Sequence, residues 1–364
     1  MCEWRLMGWG ERLSGLLGFF RRTERSVQPH TRDPVDHVVL LDGTMSTLDE
    51  GAETNVGLIY KLLEEASRTR RLGLLYEAGT QWEDWSKTLD IIEGRGINRQ
   101  IRRVYGWLAS RYRPGDRIFL IGYSRGAYAA RSLAGVIGQV GLLRPEQATE
   151  RMVNEAWKHY QADTVSEVCA EFTREYCHDD TPIEVLGLFD TVKSLGFRAP
   201  FVWKWAEVKH SFHHHHLGRH VRRGYHALAL DETREAFAPV LWDTPNEFDG
   251  EVEQVWFRGS HGDVGGQLAG FDPARPLSNI PLLWMLERLE RCDLPLPSEW
   301  RSRIQIDPDA PSVGTWRGWG KFFLARKRRV VGADGSESIH PSALGRSRRA
   351  RAVAADLNPA REAT

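Results

Sequence analysis

A serine hydroxyl is a poor nucleophile until an imidazole takes its proton, and the imidazole needs a carboxylate to fix its tautomer and stabilise its cation. Residues that could form such a set are present. RIFLIGYSRGAYAARSLAGVIG runs from a strand pattern through Gly122-Tyr123-Ser124-Arg125-Gly126 into a small-residue helix pattern. This strand–turn–helix setting is the one in which G-x-S-x-G presents a serine at the carboxyl end of a strand. Gly122 and Gly126 carry no Cβ to obstruct the close approach of strand and helix, and Ala127, Ala130 and Ala134 continue that approach. The backbone N–H of Arg125, at the start of the helix, is the expected oxyanion donor, because the helix dipole favours negative charge there.

The partners follow from position. Active groups of a parallel sheet lie just past the carboxyl ends of its strands, and in this arrangement the chain order is serine, acid, histidine. Asp190, which ends IEVLGLFD, is the expected carboxylate; the alternative is an aspartate that caps a helix or braces a turn. Among 13 histidines, His261 closes a late strand pattern and enters the Gly-rich turn His-Gly-Asp-Val-Gly-Gly. A hydrogen-bonded core histidine is the alternative there, and His340 in SIHPSA is the rival base. Asp263 suits a helix cap better than an orienting role on His261. A second oxyanion donor is expected after an early strand, where Asp42-Gly43-Thr44 offers Gly43 for close backbone approach and the amide of Thr44 or Met45. Asp42 itself reads as a brace for that turn.

The elements around these residues read as α/β. Strands are expected over His37–Asp42, Leu72–Glu77, Arg117–Tyr123, Ile183–Asp190 and Gln254–His261, separated by helical stretches. Most are continuously apolar, as strands buried on both faces of a mostly parallel sheet should be. Two insertions, near 145–177 and 197–223, exceed ordinary connection lengths and are expected to form a cap. Phe201, Trp203, Trp205 and Phe212 in the second are candidates for a substrate-recognising lid, with core packing the alternative. Residues 1–34 carry Trp4, Leu6, Trp9, Leu13, Leu16, Leu17 and Phe20 near helical spacing, an amphipathic segment expected to dock on the protein's own core or lie in a membrane plane. Residues 35–300 form the expected catalytic domain, 301–340 an extension of it, and 341–364 an Arg/Ala-rich mobile tail.

Composition narrows the field. With 364 residues, 41% hydrophobic, the chain can bury a full core, which excludes disorder throughout. Its 49 Lys plus Arg balance 49 Asp plus Glu, so there is no net positive field to hold a nucleic acid. The four cysteines, Cys2, Cys169, Cys177 and Cys292, show no C-x-x-C pairing and read as free thiols in a reducing compartment. No apolar run approaches the roughly 20 residues of a membrane span. Glu3, Glu11 and the lack of a small-residue cleavage site argue against a signal peptide. The expectation is therefore a cytoplasmic location in the producing cell, compatible with export that needs no signal peptide.

Two other chemistries fit poorly. A phosphatase reading of DGT wants Asp-x-Asp, and position 40 is Leu40. The run His213–His216, with His210 and His220 nearby, places His216 and His220 at i, i+4 but lacks the H-E-x-x-H glutamate, so a solvated or adventitious metal-binding face is expected and no metal or cofactor is implied. The basic residues Arg326 to Arg329 read as a solvated segment, with contact to lipid headgroups the alternative.

Taken together, LLDGT with TNV at Thr54–Val56, YEAGT, GYSRGAYAAR, GLFDTV, YHALALDETREAFAPVLW and QVWFRGSHGDVGG resemble an uncharacterised α/β-hydrolase family whose members include the catalytic domains of type VI secretion phospholipase effectors. The resemblance spans Val35 to Gly266, with an echo in SIHPSA. It implies an α/β-hydrolase-like fold, cleavage of lipid esters without a cofactor, and a triad at Ser124, Asp190 and His261. The family's last block usually runs Pro-Gly-Val-His-Ser-Asp, whereas this chain reads Arg258-Gly259-Ser260-His261-Gly262-Asp263. The expectation is a serine ester hydrolase acting on a lipid or phospholipid, with peripheral membrane contact and, as the resemblance implies, effector-like use. A small-ester esterase and a catalytically silent module on the same scaffold are the alternatives.

Overall fold

A strand covered on both faces sends alternate side chains into two different cores, and this is what the apolar runs do. In the computed structural model, which describes residues 32–79, 95–162, 166–192, 217–244, 248–317, 323–345 and 348–357, β1 (Asp36–Leu41) directs Val39 and Leu41 to one core and Val38 and Leu40 to the other. β3 (Arg117–Tyr123) divides in the same way, with Ile118 and Leu120 opposed to Phe119, Ile121 and Tyr123. β4 (Ile183–Phe189) is buried along its whole length, whereas β2 (Leu72–Glu77), at the sheet edge, is half-buried throughout. The chain divides into two compact units, 1–33 and 34–364, and the sheet belongs to the second.

The described sheet has seven strands in the order β2-β1-β3-β4-β5-β6-β7, every pairing parallel. Two of these strands go beyond the five expected. β5 (Arg223–Ala229) reads RGYHALA, poor in the β-branched residues that mark strands, and owes its conformation to burial between β4 and β6. β7 (Glu337–Ile339) is only three residues long and pairs with β6 (Glu251–Phe257). The strands expected to end on Asp42, Asp190 and His261 stop short of all three. Asp190 takes a φ of 43° that leaves the ladder, and Gly259, at φ 113°, turns the chain before His261.

Helices cover both faces. α1 (Asn55–Ala66) and α7 (Arg275–Arg291) share one core through Val56, Ile59, Leu63, Leu277, Met285 and Leu289. α2 (Arg95–Ala109), α3 (Arg125–Gln139), α4 (Glu150–Gln161) and α5 (Glu167–Tyr176) build the other. The 145–177 stretch expected as a cap thus contributes α4 and α5, whose Val153, Trp157, Cys169 and Phe172 enter the core beneath α3. β1 connects outward to β2 and the chain then returns to β3 on the other side of β1. The carboxyl ends of β1 and β3 therefore form a topological switch point, where open α/β sheets place their ligands.

The C-terminal part departs from the expected tail. Arg348–Leu357 forms α8, and Ala350 is buried with Leu228, Leu230, Trp256 and Ala343. Ala350 is the residue through which this helix joins that cluster. Cys169, Cys177 and Cys292 are buried free thiols; Cys2 and the 1–31 segment lie outside the described residues. Among the described residues no helix is long and apolar enough to cross a membrane.

Candidate active site

The turn after β3 forces Ser124 to φ 57° and ψ −119°, a conformation that costs a residue with a Cβ about 1–3 kcal/mol. Its surroundings hold it there. The N–H of Ser124 donates to the carbonyl of Phe189 at 3.0 Å, and α3 begins at the next residue. A Cβ on Gly122 would stand 2.6 Å from Cα of Ala127, and one on Gly126 only 2.0 Å from the carbonyl oxygen of Leu41. Only glycine fits either place, so the two flanking glycines set how closely β1, β3 and α3 converge under the serine.

The structure brings Ser124, His261 and Asp190 together from three separate elements. Nε2 of His261 lies 2.9 Å from Oγ of Ser124, and Nδ1 lies 2.6 Å from Oδ2 of Asp190. Burial alone would raise the pKa of Asp190, but the guanidinium of Arg329 and the imidazole of His261 hold it well below the usual carboxylate range. An ionised carboxylate only accepts hydrogen bonds, so Nδ1 carries the imidazole proton and Nε2 is left to accept from the serine hydroxyl. His261 is the first residue of α6 (His261–Gly265), and its ring packs against those of Tyr123 and Phe237, each 4.9 Å away between centroids.

Two further charged residues lock this set, and neither stood out in the sequence. Glu232, fully buried, accepts the backbone N–H of His261 at 3.1 Å and is paired with Arg234. Burial raises its pKa, and Arg234 more than reverses this. Arg329 donates from Nη1 to Oδ1 of Asp190 at 2.5 Å and from Nη2 to Oδ2 at 2.9 Å. It also donates to the carbonyls of Ala229 and Phe237. The solvated reading of Arg326 to Arg329 is therefore corrected at Arg329, which is 8% exposed because a buried carboxylate draws it in. Arg326 packs over the Trp316 ring and donates to the carbonyl of Thr315. The one available signal was composition, since four consecutive basic residues give no indication of which of them turns inward.

The expected oxyanion loop stands beside the serine. A Cβ on Gly43 would come 3.6 Å from Cβ of Ser124, and the carbonyl of Thr44 is held by Nε2 of Gln267 at 2.8 Å. The N–H groups of Arg125 and Thr44 have no acceptor among the described residues. Gly43, part of the expected oxyanion loop, gives no N–H to the site, because that N–H is already donated to Oδ1 of Asp42 at 2.6 Å. Asp42 also accepts from the hydroxyls of Thr54 and Tyr76 and so braces this turn. Asp263 accepts from the backbone and hydroxyl of Ser260, from the Ser312 hydroxyl and from the N–H of Val313, which spends it on capping α6.

His340 is engaged elsewhere. It stacks on Phe257, its Nδ1 lies 2.8 Å from the Ser342 hydroxyl, and burial together with Arg288 pushes its pKa down to about 4. Phe201, Trp203, Trp205, Phe212 and the His213–His216 run lie outside the described residues. No cluster of three or more His, Cys, Asp or Glu side chains suited to a metal ion occurs among the described residues.

The family described as "T6SS, Phospholipase effector Tle1-like, catalytic domain" matches residues 36–288. An uncharacterized protein of Saccharomyces cerevisiae is 27% identical over 247 residues, which covers 60% of this chain and 34% of that protein. Among solved structures, an uncharacterized protein from Pseudomonas aeruginosa gives a TM-score of 0.38 at 14% identity, covering 75% of this chain and 49% of that one. A Tle1 effector bound to the VgrG spike of a type 6 secretion system gives 0.34 at 17% identity, covering 64% and 51%. The chain spans about a third of the curated relative and about half of each of these structures.

Proposed function

The chain belongs to the family of Tle1-like phospholipase effector catalytic domains, and on that premise we propose that it is a serine hydrolase cleaving carboxylic esters through an acyl-enzyme, with a phospholipid or other lipid ester as substrate. The observation that carries this reading is the unbroken hydrogen-bonded line from Ser124 Oγ through the His261 ring to Asp190. Oγ of Ser124 attacks the acyl carbonyl carbon while its proton passes to Nε2 of His261, and Asp190 stabilises the resulting imidazolium. The N–H groups of Arg125 and Thr44 receive the oxyanion. Collapse of the tetrahedral species expels the alcohol, which leaves with the proton from Nε2. Water then gives a proton to the same nitrogen as it attacks the acyl-enzyme, and collapse of this second tetrahedral species releases the acid as Oγ of Ser124 takes the proton back from Nε2.

The test is covalent labelling with a fluorophosphonate. The reading requires modification at Ser124, none in Ser124→Ala, and at least a thousandfold slower labelling in His261→Ala, since removing a serine or histidine of such a unit costs about 10⁶ in turnover. Failure of the folded wild-type protein to label overturns it in favour of a catalytically silent module. For the lipid half, hydrolysis of matched short-chain esters and phospholipids is compared with and without vesicles. Activity restricted to soluble short esters and indifferent to the interface removes the lipid substrate and leaves the hydrolase.

A further inference from the structure

We propose that Arg329 is a positioning residue of the triad, fixing the plane of the Asp190 carboxylate and supplying its counter-charge; this rests on the serine-hydrolase reading above. Arg329 lies outside residues 36–288, so the family resemblance neither includes nor implies it. The contact is a fork meeting both carboxylate oxygens, the geometry in which an arginine restricts rotation as well as attracting charge. Oδ1 is completed by the N–H of Ala229 and Oδ2 by Nδ1 of His261. Each carboxylate oxygen thus has two partners, Arg329 and the N–H of Ala229 at Oδ1, Arg329 and the imidazole at Oδ2.

The guanidinium is itself held in place by hydrogen bonds to the carbonyls of Ala229 and Phe237. Phe237 is the residue whose ring walls one side of His261. Arg329 therefore ties the acid and the wall of the base to one point. A purely structural ion pair would not need to sit on the carboxylate that orients the imidazole, nor to use both of its oxygens.

The chemical consequence concerns the proton shared by His261 and Asp190. The charged and titratable groups around that pair are Arg329, Glu232 with its Arg234, His226 on β5, and Tyr123 beneath the ring. Of these, only Arg329 places a positive charge directly on the carboxylate. Without it the pair binds a proton more tightly, and the imidazole is withheld from the serine to a higher pH.

The experiment uses the full chain and measures ester hydrolysis against pH. Arg329→Ala is expected to lower kcat/KM about 100-fold, chiefly in kcat, and to move the acidic limb of the profile up by about one pH unit. Added guanidinium should restore part of the lost rate, and methylammonium should restore less. Asp190→Asn with Arg329→Ala should be no slower than Asp190→Asn alone. Because a variant with an unpaired buried carboxylate can unfold, this double variant, in which no such carboxylate exists, is the decisive comparison. Full additivity of the two losses, or a rate loss with an unmoved acidic limb and no guanidinium effect, overturns the positioning role while wild-type labelling at Ser124 keeps the hydrolase reading. Absence of wild-type labelling overturns both.

Discussion

Asp42 and Asp190 follow the two strands that flank β3, one on each side of the serine, and both are almost fully excluded from solvent. Their partners differ. Asp42 is held by neutral donors, the hydroxyls of Thr54 and Tyr76 and the N–H of Gly43, and burial, which these donors only partly offset, raises its pKa. Asp190 meets a guanidinium and an imidazole, which outweigh the same burial and lower its pKa. Equivalent positions at strand ends therefore yield a brace in one case and an ionised carboxylate bonded to an imidazole in the other. What decides between them is whether a cation is brought up from a distant part of the chain.

The sharpest way to break this comparison is to neutralise each acid. Asp190→Asn should reduce kcat/KM by about 10⁴, because the amide favours the wrong imidazole tautomer. Hydrolysis kinetics measure this, and a loss below tenfold would remove Asp190 from the mechanism. Glu232 belongs with Asp190, as a buried acid neutralised by an arginine. Glu232→Ala should cost about 3–5 kcal/mol in urea denaturation, since Arg234 is left without its partner, whereas Arg234 and Glu232 exchanged together for Met and Leu should recover much of that.

His226 sharpens the contrast from the neutral side. Its Nε2 accepts the N–H of Thr191, and burial, followed by the nearby Arg131, pushes its pKa down to about 3. The unfolded state therefore takes up a proton first as the pH falls, and stability should decline from near pH 6.5 downward. Between pH 7 and pH 5 this single histidine contributes about 2 kcal/mol of the loss. His226→Gln should flatten the dependence by that amount, and an unchanged slope would show that the ring is not held neutral.

The smallest effect on activity is expected at the brace. Asp42→Asn should leave kcat/KM within about tenfold of wild type. Its signature lies in stability. A raised folded pKa gives a contribution that is complete below about pH 3.9 and lost as the pH rises through the folded value. Asp42→Asn should therefore lose less stability than wild type on going from pH 4 to pH 7. At Asp190 the folded pKa is depressed, so its contribution is present above about pH 3.9 and lost as the pH falls below it, and Asp190→Asn should lose less than wild type between pH 5 and pH 2. Urea titrations at these pH values give both slopes; the same sign in the two variants would dissolve the distinction.

Much of the site was legible because its parts are local. Gly122, Ser124 and Gly126 lie within one turn, and the apolar residues before them and small residues after them announce strand and helix without tertiary information. Asp190 and His261 could be chosen by their place at the ends of strand patterns. β5 was not legible, because RGYHALA has neither the alternation nor the β-branching of a strand and is extended only through its two neighbours. Nor was the inward turn of Arg329, which looks the same in the sequence as Arg326 and Arg328.

What the sequence alone determined is the set of short-range features: an α/β alternation, a serine turn flanked by glycines, and a serine–acid–histidine order. The tertiary structure decided which acid is charged and which groups hold it, because those contacts join residues 71 and 139 positions apart. The reason is physical. Backbone sterics and side-chain periodicity act over a few residues and leave a trace in the sequence. The protonation state of a buried carboxylate depends on whichever charges the fold brings within a few ångströms, and no local pattern records that.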